Sequence, residues 1–297
     1  MIKPIISILR VRQWAKNAFV LLPLFFNGSL LNPSLLQSAL AMALAFCLAA
    51  SGIYCLNDIC DRETDRQHPV KKMRPVASGT VSIKEVVALA ILCIGTSISV
   101  IDLFPWQAGV NVGRLYGVIL LYLLMNIAYC LWLKRIVIVD VFIIAGGFVL
   151  RIVAGGMATG IPLSHWIVSM TFLLALFLAF AKRRDDVAMF EETHVKTRSN
   201  LGRYSLAFMN QVIGLIAGIT MVCYIMYTVS PEVTRRFHSS AVYVTSVFVL
   251  AGIIRYLQIT IVDGKSGSPT RVLLEDRFIQ TTILCWLAAF TVIIYMA

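Results

Sequence analysis

LLQSALAMALAFCLAASGIYCLNDICDRETDR, residues 35–66, is the stretch that settles the fold class. Leu35 to Leu56 are 22 residues without a charge, long enough as one helix to cross the ~30 Å of hydrocarbon in a bilayer. The ten that follow, Asn57 to Arg66, hold four acids and two arginines. An apolar helix that ends in a dense charge cluster is a membrane span arriving at water. The same alternation recurs outward along the chain, with apolar runs near 17–32, 81–103, 112–132, 136–158, 163–181, 204–229, 240–262 and 278–296. The expected fold is all-α, a polytopic integral membrane protein of nine transmembrane helices. The spans leave no room for a soluble domain, so residues 1–297 are expected to form a single transmembrane domain. Composition agrees: 59% of the residues are hydrophobic and 14% charged, with a mean hydropathy of +0.83, outside the range of soluble domains.

A net charge of +11 would suggest nucleic acid in a soluble protein. Here the basic residues sit in short loops between spans, where membrane orientation and anionic substrates account for them, and no nucleic-acid partner is expected. With a cytoplasmic N-terminus, the N-terminal segment and the loops after even-numbered spans hold twenty Lys and Arg, against two, Arg235 and Arg236, on the other face. That bias places the conspicuous polar loops on the cytoplasmic side of an inner or cell membrane. Lys3, Arg10, Arg12 and Lys16 precede the first apolar run without a small-residue cleavage site, so that run reads as an uncleaved span. The seven cysteines form no CxxC pair and no cluster with the four histidines. They argue for neither zinc nor disulfides and read as packing residues.

The chemistry concentrates in Asn57-Asp58-Ile59-Cys60-Asp61-Arg62-Glu63-Thr64-Asp65-Arg66. At ~100° per residue, Asp58, Asp61 and Asp65 fall within about 60° of one another, with Asn57 beside them. Carboxylates stacked on one face repel unless a cation lies between them. Oxygen ligands of this kind suit Mg2+, which keeps part of its shell for water and substrate phosphates. Asn57, Asp58, Asp61 and Asp65 are therefore candidate metal ligands; the competing reading is a solvated acidic helix end. The next stretch, His68-Pro69-Val70-Lys71-Lys72-Met73-Arg74-Pro75, turns basic, and its two prolines end the helix and shape a loop. Lys72 and Arg74 are candidate contacts for an anion held jointly by metal and cations, and pyrophosphate fits that description. Any one of these cations also reads as part of an ordinary basic cytoplasmic loop.

The NDxxDxxxD signature on a chain of nine spans resembles the UbiA-type superfamily of intramembrane prenyltransferases, over essentially the whole length. Members of that superfamily use two acidic motifs, each binding Mg2+ for the pyrophosphate of a polyprenyl diphosphate. Where the second motif is expected, after the sixth span, this sequence reads Lys182-Arg183-Arg184-Asp185-Asp186-Val187, and Met189 and Phe190 stand four residues beyond the two aspartates. Cations replace the second cluster. With Arg12-Gln13-Trp14-Ala15-Lys16-Asn17 and Ser268-Pro269 through Asp276-Arg277, this departure is similar to the decaprenyl-phosphate phosphoribosyltransferase branch. The continuation through His68-Pro69, Lys72, Arg74-Pro75 and Gly79 resembles it too, with less discrimination.

That resemblance implies a Mg2+-dependent transfer of 5-phosphoribose from 5-phosphoribosyl-1-pyrophosphate (PRPP) to a polyprenyl phosphate, with release of pyrophosphate. The product would be an early step toward lipid-linked arabinose donors in cell wall biosynthesis. It implies catalytic roles for Asp58, Asp61 and Asp65, and phosphate contacts from Lys16, Lys134, Lys182 and Arg183, with Asn17 and Asp186 also on substrate. The charge balance agrees, since PRPP carries a pyrophosphate and a separate 5-phosphate and the lipid adds another. The lipid phosphate is already ionised, so no general base is required and no catalytic His or Cys is expected.

Asp140 and Arg151 lie in the fifth span, about 20° off one face and three turns apart, too far to pair on one helix. They are read as cavity-lining substrate residues, the alternative being pairing with other helices. Gly146, Gly147, Gly155 and Gly156 read as packing residues. Two other functions stay open: a polyprenyltransferase with a degenerate second motif, acting on an aromatic or other acceptor, and a transporter whose acids bind ions. The second is disfavoured because the acidic cluster lies at the interface, not at the midplane.

Overall fold

A computed structural model describes residues 2–67, 70–193, 203–237, 239–264 and 266–295, which form helices and turns with no strand among them. The chain divides into two compact units, Met1–Leu163 and Ser164–Ala297.

In the first unit, α1 (Ile2–Leu9), a 3-10 stretch (Val11–Leu21) and α2 (Leu22–Phe26) lead to α3 (Pro33–Cys60). Then come α4 (Arg62–Gln67), α5 (Pro75–Ser78), α6 (Ile83–Leu103), α7 (Val112–Leu131) and α8 (Val139–Thr159). The start of α3 is written in Asn32-Pro33: Asn32 Oδ1 accepts from the Ser34 and Leu35 amides at 3.1 and 3.3 Å, and proline takes the first helical position. α3 is the axis of the unit and packs against α6, α7, α8 and the 3-10 stretch. Its buried Met42, Phe46, Ala49 and Ile53 meet Ile119 and Tyr122 of α7 and Ala154 and Ala158 of α8. The approach to α6 depends on Gly52, where a Cβ would lie 2.7 Å from Ile94 Cγ1 and 3.2 Å from the Ala90 carbonyl oxygen.

The second unit holds α9 (His165–Thr193), α10 (Leu206–Val229), α11 (Pro231–Phe237), α12 (Ser246–Ile261), α13 (Pro269–Glu275) and α14 (Arg277–Tyr295). α10 packs against α9 and α12, and α14 against α12.

Among the described residues seven helices are long and apolar enough to cross a membrane, or eight if α13 and α14, bent by 83°, count as one. Residues 17–32 do not form the one continuous helix expected there. Pro23 and Gly28, the latter at φ 70°, interrupt the apolar run. The residues before it are drawn into an 11-residue 3-10 stretch by their polar side chains. Trp14 Nε1 donates to Ser51 Oγ at 3.0 Å, Asn17 Nδ2 to Cys47 Sγ at 3.1 Å, and Arg151 Nε to Asn17 Oδ1 at 2.7 Å. Gly155 of α8 lets this stretch close in, since any Cβ there would run into the Val20 carbonyl oxygen. The expected polar loop from Lys182 is also corrected in its first part: α9 runs on unbroken through Thr193.

Candidate active site

The acidic motif straddles a helix junction. α3 ends at Cys60, Asp61 sits at φ −92°, ψ 0°, and α4 begins at Arg62. Two i to i−4 bonds carry the helical path through the break: the Asp61 amide donates to the Asn57 carbonyl at 2.9 Å and the Asp65 amide to the Asp61 carbonyl at 2.8 Å. Asp58 and Asp65 therefore remain on one face, both buried. Arg74 Nη1 stands between them, 2.6 Å from Asp65 Oδ2 and 3.5 Å from Asp58 Oδ1. Arg10 pairs with Asp58, and Lys134 with Asp61. Asn57 Oδ1 faces Cys130 Sγ at 3.5 Å.

Each aspartate of the motif thus holds a cation of the chain, and for Asp58 and Asp65 burial makes the pairing costly to break, by several kcal/mol for a buried carboxylate stripped of its partner; Asp61 is half-buried. For a divalent ion the donor set is suitable, all hard oxygens, and the Arg74 nitrogen already marks a position where one positive charge meets two carboxylates. Among the described residues no three His, Cys, Asp or Glu side chains converge as a ready ligand set; two carboxylates converge and Asp61 is turned to Lys134.

Arg10 joins the acidic motif although it lies outside the sequence motifs. Its guanidinium meets Asp58 and lies 4.9 Å from the centroid of the Tyr54 ring. Its backbone is left-handed, φ 50°, ψ 46°, uncommon for a side chain of this size. Its only signal in the sequence is its place two residues ahead of the Arg12-to-Asn17 motif, where it reads as one of the N-terminal cations that set membrane orientation.

The other expected residues separate into groups. Lys72 is exposed on the 3-10 turn Lys71–Met73, and Lys16 is half-buried; His68 and Pro69 lie outside the described residues. Asn17 and Arg151 meet directly, although 134 residues separate them. Arg151 is buried, donates also to the Gly147 carbonyl at 2.7 Å and to Tyr122 Oη at 3.3 Å, and sits among the rings of Phe46, Tyr122 and Phe148. Asp140 is fully buried in the first turn of α8, where the helix dipole favours an acid.

In the second unit, Lys182 is exposed and the buried Arg183 pairs with Asp186 at 2.8 Å. Arg184 donates to Asn210 Oδ1 at 3.2 Å and to the Ile261 carbonyl at 3.3 Å. Asp185 faces the turn at Ser266 and Gly267, and Ser266 Oγ in turn donates to the Ala181 carbonyl at 3.1 Å. Arg184 and Asp185 therefore tie α9 to its neighbours. Asp276 caps α14 by accepting from the Ile279 amide at 2.9 Å and pairs with Arg255 at 2.7 Å.

A family model described as the UbiA prenyltransferase family matches residues 19–282. A decaprenyl-phosphate phosphoribosyltransferase of Mycolicibacterium smegmatis is 33% identical over 100% of this chain and 94% of its own. The protein of the same name from Mycobacterium tuberculosis strain H37Rv is 32% identical over 96% of this chain and 92% of its own. In fold, the chain resembles a UbiA homologue of Archaeoglobus fulgidus solved with GPP and Mg2+, with a TM-score of 0.68 and 18% identity over 98% of this chain and 99% of that one. The residues matched, the near-complete coverage and the helical architecture converge: the chain is an integral membrane protein that belongs to the UbiA prenyltransferase family.

Proposed function

We propose that the protein is a phosphoribosyltransferase that moves 5-phosphoribose from PRPP to a polyprenyl phosphate of the decaprenyl type and releases pyrophosphate. The observation that carries this reading is the pairing of every aspartate in the acidic motif with a cation: Arg10 and Arg74 on Asp58, Arg74 on Asp65, Lys134 on Asp61. Three cations offset the three carboxylates, so the charge of a metal ion bound among them would remain for the substrate's phosphates. Near-full-length similarity to relatives of that name supports the same substrate class.

Asn57, Asp58, Asp61 and Asp65 would hold Mg2+, which supplies charge neutralisation for the departing pyrophosphate. Lys72, Arg74, Lys134, Lys16 and Asn17 are assigned to the substrate's anionic groups, with Asp140 and Arg151 supporting that end from α8. In the second unit, Lys182 and Arg183 are assigned to phosphate, with Asp186, paired to Arg183, as a further substrate candidate. The bond from C1 to pyrophosphate breaks, the bond from C1 to a lipid phosphate oxygen forms, and no proton needs to move because the nucleophile is already ionised. The positive-inside bias supports an N-terminus and a site on the cytoplasmic side of a cell membrane. The family match spans both units, which supports one catalytic domain. We also keep nine crossings. The segment Val11–Phe26 would extend about 30 Å end to end at the rises of its 3-10 and α parts and serve as the first, the bent pair α13–α14 as the last.

The test is transfer of label from ribose-labelled PRPP to a polyprenyl monophosphate by the purified full chain, with and without Mg2+. Metal-dependent labelling of the lipid is the expected result. Absence of labelling, together with transfer of a prenyl group from a polyprenyl diphosphate to an aromatic acceptor, would overturn it.

A further inference from the structure

Two acids of the motif are buried and their arginines are partly exposed. Asp58 and Asp65 stand on helices with side chains 4% and 5% exposed, whereas Arg10 and Arg74 are 24% and 31% exposed. Each arginine belongs to a short connection. Arg74 lies between a three-residue 3-10 turn and the four-residue α5. Arg10 lies between α1 and the 3-10 stretch, in its left-handed conformation.

One atom, Arg74 Nη1, neutralises two carboxylates, and Asp58 takes a second guanidinium from Arg10. Asp58 and Asp65 would hold a divalent ion together only if Arg74 Nη1, which now meets both, gave way. A guanidinium displaced from there stays tethered within a side chain's length of the ion, where pyrophosphate oxygens bound to that ion would lie. Its planar fork of donors suits phosphate as well as carboxylate.

We propose that Arg10 and Arg74 are exchange cations: they hold the carboxylates of Asp58 and Asp65 until a divalent ion takes them over, and then turn to the pyrophosphate that arrives with it. Metal and pyrophosphate each displace an obstacle to the other, so their affinities are linked and the linkage is reciprocal. Arg10, outside the sequence motifs, becomes a substrate-positioning residue. The proposal rests on the function above only for the pyrophosphate it names.

The experiment uses the purified full chain and two ligands that need neither ribose nor lipid. Mn2+ alone is titrated by electron paramagnetic resonance, and the 1:1 magnesium complex of inorganic pyrophosphate by calorimetry. Relative to the native chain, Arg74→Gln should bind Mn2+ about tenfold more tightly and magnesium pyrophosphate about tenfold more weakly, a factor typical of one charge-assisted contact. Arg10→Gln should shift both in the same directions and stands in if the first variant does not fold. Unchanged or weaker Mn2+ binding overturns the exchange. Tighter Mn2+ binding with unchanged pyrophosphate binding overturns the handover and leaves two structural ion pairs. Failure of label transfer from PRPP would strike the phosphoribosyl reading alone, since neither titration depends on it.

Discussion

Asp61 and Lys134 come from sites 73 residues apart and meet at the end of α3. Replacing Asp61 by Asn keeps the shape and removes the charge that both a metal ion and Lys134 require. Turnover should fall at least about a hundredfold, the usual scale for losing a charge at the reacting centre, while the melting temperature in detergent moves by only a few degrees. A variant with near-native turnover would remove Asp61 from the chemistry. Arg151 is a different kind of residue. Its bonds to Asn17, Gly147 and Tyr122 and its three ring neighbours are internal to the unit, so Arg151→Met should cost about 2–4 kcal/mol of stability by leaving buried acceptors unpaired. Lysine should not restore it, because one ammonium cannot reproduce a planar fork; a fully stable Arg151→Lys protein would contradict this account. The acidic motif was legible because helical spacing puts its members on one face. The partners of Asp58, Asp61 and Asn17 were not, because they come from sequence 48, 73 and 134 residues away, and nothing local encodes such a meeting.

Apolar runs locate helices well and their charged ends poorly. The hydropathy reading stops α9 at Lys182, where charges begin, yet the helix continues because Arg183 and Asp186 pair one turn apart and Arg184 is satisfied by Asn210. Charges spaced by three or four residues extend a helix as readily as they end one. The same reading makes 17–32 one unbroken helix, and the helix is broken there because Pro23, Gly28 and the bonded side chains of Trp14 and Asn17 shape the backbone more strongly than apolarity does. Packing of that segment can be tested at the glycines of α8. A Cβ at Gly155 strikes the Val20 carbonyl, a backbone atom that cannot swing away, so Gly155→Ala should lose about 1–3 kcal/mol. At Gly147 the added atom meets Arg151 Nη1 at 3.5 Å and Met125 Cε at 3.6 Å, ordinary contacts. Gly147→Ala should be neutral or gain up to about 1 kcal/mol from helix propensity. Equal melting temperatures for the two variants would mean that α8 does not press on the 3-10 stretch.

For the molecule as a whole, composition and charge asymmetry carried the membrane class, one acidic motif carried the family, and its missing counterpart pointed to the branch. The number of crossings was less legible, because bent and broken helices at both ends blur what counts as one. Orientation is the global property with the most direct consequence, since a phosphorylated sugar donor made inside a cell can reach only a site that opens inward. The cysteines offer a reporter. Cys47, Cys55, Cys93 and Cys130 are buried, Cys223 is half-buried, and Cys60 and Cys285 are exposed. Cys60 adjoins Asp61 at the charged end of α3, whereas Cys285 lies within the apolar α14, out of reach of a water-soluble reagent. A membrane-impermeant maleimide should therefore modify Cys60 in inside-out vesicles and leave it untouched in intact cells, with Cys60→Ser abolishing the signal. Magnesium with PRPP should slow that labelling, because the ligands crowd the end of α3. Labelling of Cys60 from outside intact cells would reverse the orientation drawn from twenty cations against two, and with it the cytoplasmic supply of the donor.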